Sequence, residues 1–328
     1  MNKRDIHVLK YFSSVVSVSY GKVINVTEPS LKFCPLASHL YRQLREAGDD
    51  KEAIRAAIKK AIESKIKDYG FFTERRIFSY DRALIPYGAS EMLSSALKKK
   101  AVEAAVVVCE GAGTVIADDP QIVQGIGARM NSLLLTSPIE AIIKELKAYG
   151  CRVIFENAMI NQYQGLKEAI AAGYKSIAVT VSGHSAAELR ALRLLEKESG
   201  VRLILLAVCT SGISEDKVSL IRDHADLAWS CASLDIRRMA KTAAKIQLSK
   251  QIPVFVLTEN GIDFISAYAD RSESVKGLDI TKQYLFSNEH SSRCLYLGGF
   301  KAFIKESGLP VEAHSAPGLK KTKEHICA

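Results

Sequence analysis

Residues 104–108 consist only of alanine and valine, with no polar position among them. A strand of this kind is covered on both faces, which is typical of a parallel sheet between layers of helices. Further apolar strand patterns follow at 152–155, 176–181, 203–208, 226–229 and 253–258. Helical patterns separate the later ones, at 163–172, 185–199, 215–224 and 235–248. This alternation predicts an α/β fold with a mainly parallel sheet flanked by helices.

The chain before residue 85 has a different pattern. Two β-branched runs within 15–27 surround a Tyr20-Gly21-Lys22 turn and predict a β-hairpin. A helix with one apolar stripe is predicted by Ile54, Ile58, Ile62 and Ile66. We therefore expect an N-terminal hairpin and helical segment, residues 1–85, which packs on an α/β domain at 86–306. The Pro, Gly and charge content of 307–328 predicts a flexible C-terminal tail.

Local signals mark several helix starts. Asp119-Pro120 has the pattern of a cap followed by the first helical residue. The sequences at 137–140 (Ser-Pro-Ile-Glu) and 185–188 (Ser-Ala-Ala-Glu) both match a capping box. Beyond Gly299 the pattern predicts one short helix.

The composition is that of a soluble globular protein, with 48% hydrophobic and 25% charged residues among 328. The start of the chain has no signal-peptide pattern, and no run approaches the roughly 20 apolar residues of a membrane helix. We therefore expect a cytoplasmic protein with no membrane partner. The net charge of +9 is scattered over the chain and has no interleaved aromatic residues, so nucleic-acid binding is not favoured.

Four of the seven cysteines fall where a site is expected. Cys109, Cys209 and Cys231 each follow a predicted strand, and the carboxyl ends of parallel strands share one sheet edge, where ligands bind. Cys34 lies at a predicted helix start and could join them. Four thiolates would suit zinc or an iron–sulfur cluster, although no CxxC pair occurs and core packing explains each cysteine individually. Cys151 precedes its strand, at the opposite edge, and is expected to be structural.

The same edge offers a second kind of site, built from glycines and hydroxyls. Backbone amides in such turns can bind an anion, and ordinary turns and caps have the same composition. The candidate ligand-binding residues are Glu110, Gly111, Gly113, Thr114, Thr210 and Ser211. A dinucleotide fingerprint is disfavoured, because Ile116 occupies the position of the third glycine. His184, at the end of another strand, could act as an acid, base or ligand, or be a solvated loop residue.

Several motifs together resemble a known protein family. They are Lys32-Phe33-Cys34-Pro35-Leu36, Tyr87-Gly88-Ala89-Ser90-Glu91, Val108 to Ile116, Val123-Gln124-Gly125-Ile126-Gly127, and the strand at 176–181. The set resembles methanogenesis marker protein 8, and the similarity covers most of the chain. The resemblance implies an uncharacterised accessory protein of methanogens and other anaerobes, near methyl or coenzyme M metabolism, and supplies no catalytic residues. Where that family has Met-Ser-Gly-Leu, this chain has Met130-Asn131-Ser132-Leu133, which indicates a divergent member.

Two main hypotheses follow. The first is an accessory protein of anaerobic one-carbon metabolism that holds a metal or iron–sulfur site on Cys34, Cys109, Cys209 and Cys231, with a redox or cofactor-maturation role. The second is a metal-free enzyme or sensor that binds an anionic small molecule at the glycine- and hydroxyl-rich loops. A scaffold that binds a protein partner and has no site chemistry remains a third possibility.

Overall fold

The computed structural model describes residues 5–11, 13–31, 42–48, 50–78 and 85–313. The strands in these residues are β1 (His7–Tyr11), β2 (Ser14–Ser19), β3 (Lys22–Val26), β4 (Ala104–Cys109), β5 (Gly113–Ala117), β6 (Ser132–Thr136), β7 (Arg152–Val153), β8 (Ser176–Ser182), β9 (Arg202–Val208), β10 (Leu227–Trp229), β11 (Ile246–Leu248), β12 (Val254–Val256), β13 (Tyr284–Ser287), β14 (Arg293–Leu297) and β15 (Phe300–Glu306). The helices are α1 (Arg42–Glu46), α2 (Lys51–Tyr69), α3 (Ala89–Lys98), α4 (Pro120–Gly127), α5 (Glu140–Ala148), α6 (Gln162–Ala171), α7 (Glu188–Ser199), α8 (Glu215–His224), α9 (Leu234–Ala243), α10 (Glu259–Tyr268) and α11 (Ser272–Lys276).

The large sheet confirms the α/β fold. It contains 11 of the described strands, in the order β14-β15-β13-β11-β12-β10-β9-β8-β4-β5-β7. Its centre, β4-β8-β9-β10, is parallel, as the fully apolar strand patterns predicted. Outside this centre most pairs are antiparallel, and short turns join some of them, such as β4 with β5 and β14 with β15. The sheet is therefore mixed, with a parallel centre.

The small sheet joins the N-terminal part of the chain to the rest. Its order is β3-β2-β1-β6, and the predicted hairpin is confirmed as β2 and β3. Strand β6 comes from beyond residue 85, and His7 of β1 pairs with its Thr136. Helix α2 covers this sheet and buries the predicted isoleucine stripe, including Ile58 and Ile62, against Val16.

Two predicted helices are wrong in part. The helix expected at 235–248 ends at Ala243, and β11 follows it. The segment after Gly299 forms strand β15, which pairs with β13 and β14. Short apolar runs do not distinguish strand from helix, and here pairing with a neighbouring strand decides the outcome. Gly298 and Gly299 both have positive φ, 57° and 87°, and make the turn that brings β15 back along β14.

The helix-start signals were right for aspartate and wrong for the two capping boxes. Asp119 caps α4, because its Oδ1 accepts from the Gln121 amide at 2.7 Å. Ser137 instead accepts from the Ile6 amide at 2.9 Å, and so joins the chain start to the end of β6. Helix α7 begins three residues after Ser185, because residues 183–185 form a separate 3₁₀ turn.

The first residues of the predicted tail pack on the large sheet. Leu309 is buried, and the Gln247 side chain both donates to and accepts from the Val311 backbone at 2.8 Å. Glu312 pairs with Arg237 at 2.6 Å. Residues 314–328 lie outside the described residues, and the boundaries predicted at 85 and 306 stay predictions.

Candidate functional site

A cavity of about 220 Å³ lies at the carboxyl ends of the parallel strands. Strand β4 contributes Val108 to its wall, β8 contributes Ser182, and β9 contributes Val208. The opposite side is lined by residues of the small sheet and of α2. The edge at which the sequence placed a site therefore does border a cavity, and the N-terminal unit helps to enclose it.

Most of the cavity wall is apolar, which limits what it can hold. The volume is below the roughly 300–1,000 Å³ of common ligand pockets, so a small metabolite fits better than a dinucleotide. The apolar lining residues are Ile85, Ala89, Leu93, Val107, Val108, Val123, Ile126, Met130, Leu133, Val208, Trp229 and Ile252. A ligand with an apolar body would gain from burial against them.

The charged groups on the wall are mainly cationic. Lys10, Lys65 and Arg129 all line the cavity, together with His184. Among the described lining residues the one carboxylate is Glu91, which accepts hydrogen bonds from Ser90 and Gln124 at 3.0 and 3.2 Å. An excess of positive charge in a partly apolar enclosure favours an anionic ligand.

Lys65 is the most unusual of these cations, because only 2% of it is exposed. Its amine donates to the main-chain oxygen of Arg129 at 2.6 Å and also to the Asn131 side chain. The same nitrogen lies 4.8 Å from the centre of the Tyr11 ring. Burial, with the neighbouring Arg129 charge, lowers the pKa of Lys65 to about 7, so this amine is largely neutral above that pH.

Lys10 extends the cationic wall, and His184 adds an imidazole that is neutral at pH 7. Burial lowers the pKa of His184 to about 4, and the charges of Lys10 and Lys217 act in the same direction. Burial also lowers the pKa of Lys10, with Lys217 as the second cause. Lys217 donates to the main-chain oxygen of His184 at 2.8 Å. An anion bound here would offset the repulsion between Lys10 and Lys217.

Several residues of the cavity wall have an uncommon backbone conformation. Nine non-glycine residues of the described chain have positive φ, and four of them line the cavity. These four are Ser13, Arg129, Cys209 and Cys231. Non-glycine residues in this region of backbone space tend to cluster at functional sites, where the surrounding structure holds them.

The predicted cysteines are only partly brought together. Cys209 and Cys231 both line the cavity. Cys109 is fully buried next to Glu110, and burial raises the pKa of its thiol well above the ordinary value. Cys34 lies outside the described residues, and within the part of the chain that is described no three His, Cys, Asp or Glu side chains gather as a metal would require. The four-cysteine site stays a prediction. Cys151 directly precedes β7, as expected.

The candidate residues at 110–114 are engaged inside the fold. Glu110 is fully buried in an ion pair with Arg76. The amide of Gly111 donates to Thr136 Oγ1 at 2.8 Å, in the turn between β4 and β5. Gly113 begins β5, and Thr114 Oγ1 donates to the Gln162 side chain at 2.9 Å. These candidates do not line the cavity, and their role as ligand-binding groups stays a prediction.

The second candidate turn, at 210–214, reaches the cavity through one residue. Thr210 is buried, and its hydroxyl donates to the Trp229 main-chain oxygen at 2.6 Å, which ties the ends of β9 and β10 together. Ser211 lines the cavity and accepts from the Ala232 amide at 3.0 Å. Ser211 is therefore the member of this set that a ligand could touch.

Sequence reasoning missed the three cations that dominate the cavity wall. A signal for Lys65 was present, because it lies seven residues after Ile58 and three after Ile62, on the apolar face of α2. A lysine at such a position of the helix is either buried with its apolar neighbours or interrupts the apolar face. Lys10 and Arg129 gave no comparable signal, since they reach the cavity from a different strand and loop.

The fold and the cavity define an α/β protein with a small cationic cavity at the carboxyl edge of its large sheet. Residues 7–270 match the model of a family described as "Uncharacterized protein conserved in archaea", DUF2099, and the chain belongs to this family. It is 37% identical over 263 residues to the uncharacterized protein MJ0054 of Methanocaldococcus jannaschii. This match covers 80% of the chain and 89% of that protein. No solved structure gives a significant match. Within the described parts of the chain, no helix has the length and apolar character that crossing a membrane requires.

Proposed function

We propose that the protein binds a small anionic metabolite with an apolar body in the cavity at the carboxyl edge of the large sheet. The observation that carries this proposal is the charge of the wall, where Lys10, Lys65 and Arg129 face a mainly apolar enclosure with Glu91 as the described carboxylate. Ser211 and His184 supply further polar contacts. The protein acts as an enzyme or a sensor for that metabolite.

The biological setting is part of the same proposal. The resemblance to methanogenesis marker protein 8 implies an accessory role in anaerobic one-carbon metabolism, and membership of an archaeal family is consistent with this role. The narrower designation as methanogenesis marker protein 8 rests on the motifs listed above, such as Tyr87-Gly88-Ala89-Ser90-Glu91. A cytoplasmic location fits this setting.

Isothermal titration calorimetry with simple probes tests the binding. Benzoate and phenyl phosphate combine an apolar ring with an anionic group, and benzyl alcohol is the matched uncharged probe. We expect both anions to bind. Benzyl alcohol should bind at least about ten-fold more weakly, because it has no negative charge to interact with the cations of the wall. A tenfold difference in affinity corresponds to only about 1.4 kcal/mol. Arg129→Gln should weaken anion binding, and Lys60→Gln, on the exposed face of α2, should not. Equal affinity for the alcohol and the anions would overturn the proposal.

A second candidate function is the cysteine-ligated metal or iron–sulfur site. It is supported by the position of Cys209 and Cys231, which both line the cavity. In this proposal Cys34 and Cys109 complete the set, and the bound zinc or cluster serves a redox or cofactor-maturation role. Anaerobic purification followed by analysis for iron, zinc and acid-labile sulfide is the test. Cys209→Ser should remove the metal while Cys151→Ser should retain it, and a folded protein that takes up no metal on reconstitution would exclude this function.

A further inference from the structure

Lys65 has the features of a nucleophilic amine. It lines the cavity while remaining 98% shielded from solvent, so a ligand in the cavity would meet the amine without bulk water. The Arg129 main-chain oxygen and the Asn131 side chain both accept hydrogen bonds from it. A neutral amine can donate to two acceptors and still keep its lone pair for attack on an electrophile.

The surroundings of Lys65 favour that neutral form. The Arg129 guanidinium is the strongest charged neighbour, and Arg76 acts in the same direction. Glu110 and Cys209 act in the opposite direction, and burial outweighs them, so the pKa falls to about 7. Desolvation beside a second cation is one of the ways in which proteins prepare a lysine to attack a carbonyl.

From this geometry we infer that Lys65 forms an imine with the carbonyl group of an anionic aldehyde or 2-oxo acid bound in the cavity. This inference rests on the proposed function and specifies its substrate class. The Nζ–C bond forms as the amine attacks the carbonyl carbon. Both hydrogens of the neutral amine leave with the carbonyl oxygen as one water molecule, so the step needs no oxidant or reductant. The Lys10 and Arg129 charges hold the anionic group of the ligand.

Reductive trapping tests this inference on the full chain. The protein is incubated at pH 7 with 4-formylbenzoate or glyoxylate in the presence of cyanoborohydride, which reduces an imine to a stable secondary amine. Peptide mapping then locates the added carboxybenzyl or carboxymethyl group. We expect Lys65 to be labelled at least about ten-fold more than exposed lysines such as Lys60, because ordinary lysines are almost fully protonated at this pH.

Competition and substitution sharpen the result. Benzoate, which has the same ring and carboxylate but no aldehyde, should suppress labelling of Lys65. Lys65→Met should lose the label at that position, and Lys60→Met should keep it. Because the wild-type map alone identifies the labelled lysine, the test does not depend on the folding of a variant.

The outcomes separate this inference from the proposed function. Label that is spread over exposed lysines, or is found on Lys10 instead, would overturn the inference that Lys65 forms an imine. If benzoate still bound to the protein in that case, the proposed anion site would stand. Selective labelling of Lys65 with no measurable binding of benzoate or phenyl phosphate would show a reactive amine, but it would contradict both the anion site and an anionic ligand for the imine.

Discussion

The amine of Lys65 donates a 2.6 Å hydrogen bond to the main-chain oxygen of Arg129, 64 residues further along the chain. The Arg129 guanidinium in turn lies 4.5 Å from the centre of the Tyr69 ring, one turn after Lys65 on α2. Two cations are therefore held together where the small sheet, α2 and the large sheet meet. Such an arrangement is unfavourable for two full charges, and the loss of one proton relieves it.

The first prediction concerns the pH dependence of stability. The pKa of Lys65 is about 7 in the folded protein, below its unfolded value near 10.5, so unfolding takes up a proton between these pH values. Stability contributed by this group therefore rises with pH. We expect the wild type to gain about 2 kcal/mol relative to Lys65→Met between pH 7 and pH 9, measured by urea unfolding.

The comparison with Lys65→Met isolates this effect, because the buried cysteines and tyrosines titrate in both proteins. Lys60→Met is the matched control on the exposed side of the same helix and should show a constant difference from the wild type. A wild-type curve parallel to that of Lys65→Met across this range would contradict the low pKa.

The sequence predicted the sheet edge better than the groups that occupy it. Cys209 and Cys231 reach the cavity because they lie one and two residues beyond the ends of the parallel strands β9 and β10. Cys109, the third cysteine predicted at this edge, does not line the cavity, although its neighbour Val108 does. The strand pattern of the sequence is enough to predict which residues follow the ends of the strands. The fully apolar run at 104–108 likewise identified a strand of the parallel group, β4.

The cations of the cavity wall could not be predicted from the strand pattern. Lys65 and Arg129 meet only because β1 pairs with β6 and places α2 over the strand ends, and this pairing spans the boundary predicted at residue 85. The role of the turn at 111–113 could not be decided from the local pattern either. Glycines after a strand suggest a ligand site, but here they make the reversal into β5, which no local signal distinguished from an anion-binding loop.

The second prediction is proton uptake on anion binding. An anion in the cavity raises the pKa of Lys65 from about 7 and that of His184 from about 4, because it favours their charged forms. At pH 7, binding of benzoate should therefore take up less than about half a proton, mainly at Lys65, so that part of the Lys65 population stays neutral in the complex. Titration calorimetry in two buffers of different ionisation enthalpy measures this number directly.

The same linkage fixes the sign of the pH effect on affinity. Benzoate should bind more weakly as the pH is raised from 7 to 9, since the proton that binding requires becomes scarce. Lys65→Met should remove most of the dependence, whereas Lys60→Met should keep it. A heat of binding that is the same in both buffers would show that these groups do not sense the anion.

The third prediction tests the buried ion pair between Arg76 and Glu110. Their side chains are 2% and 0% exposed, and Arg76 also donates to the Gly125 main-chain oxygen at 2.8 Å. Glu110→Gln leaves a buried cation without its counter-charge and should lower the free energy of unfolding by about 3–5 kcal/mol. Urea denaturation provides the measurement.

The matched control is the exposed pair of Arg42 and Glu46, whose side chains are 79% and 58% accessible. Arg42→Gln should change stability by no more than about 0.5 kcal/mol, since solvent already screens this pair. If both substitutions had equally small effects, the buried pair would not be a structural link between the N-terminal segment and β4.

The fourth prediction explains a motif by its packing. The motif Val123-Gln124-Gly125-Ile126-Gly127 lies in helix α4. At Gly125 this helix packs so closely against the backbone of Phe78 that an added Cβ would overlap the Phe78 carbonyl oxygen. Alanine favours a helix over glycine by about 1 kcal/mol, so helix propensity alone would make Gly125→Ala stabilising. Overlap with a backbone atom cannot be relieved by a side-chain rotation, and we expect a net loss of about 2 kcal/mol or more in thermal or urea unfolding.

Gly308→Ala, where no atom lies within 4 Å of the added Cβ, should stay within about 0.5 kcal/mol of the wild type. A stabilised Gly125→Ala protein would show that α4 can move away from Phe78, and that the cavity wall it supports through Val123 and Ile126 is not fixed by this contact.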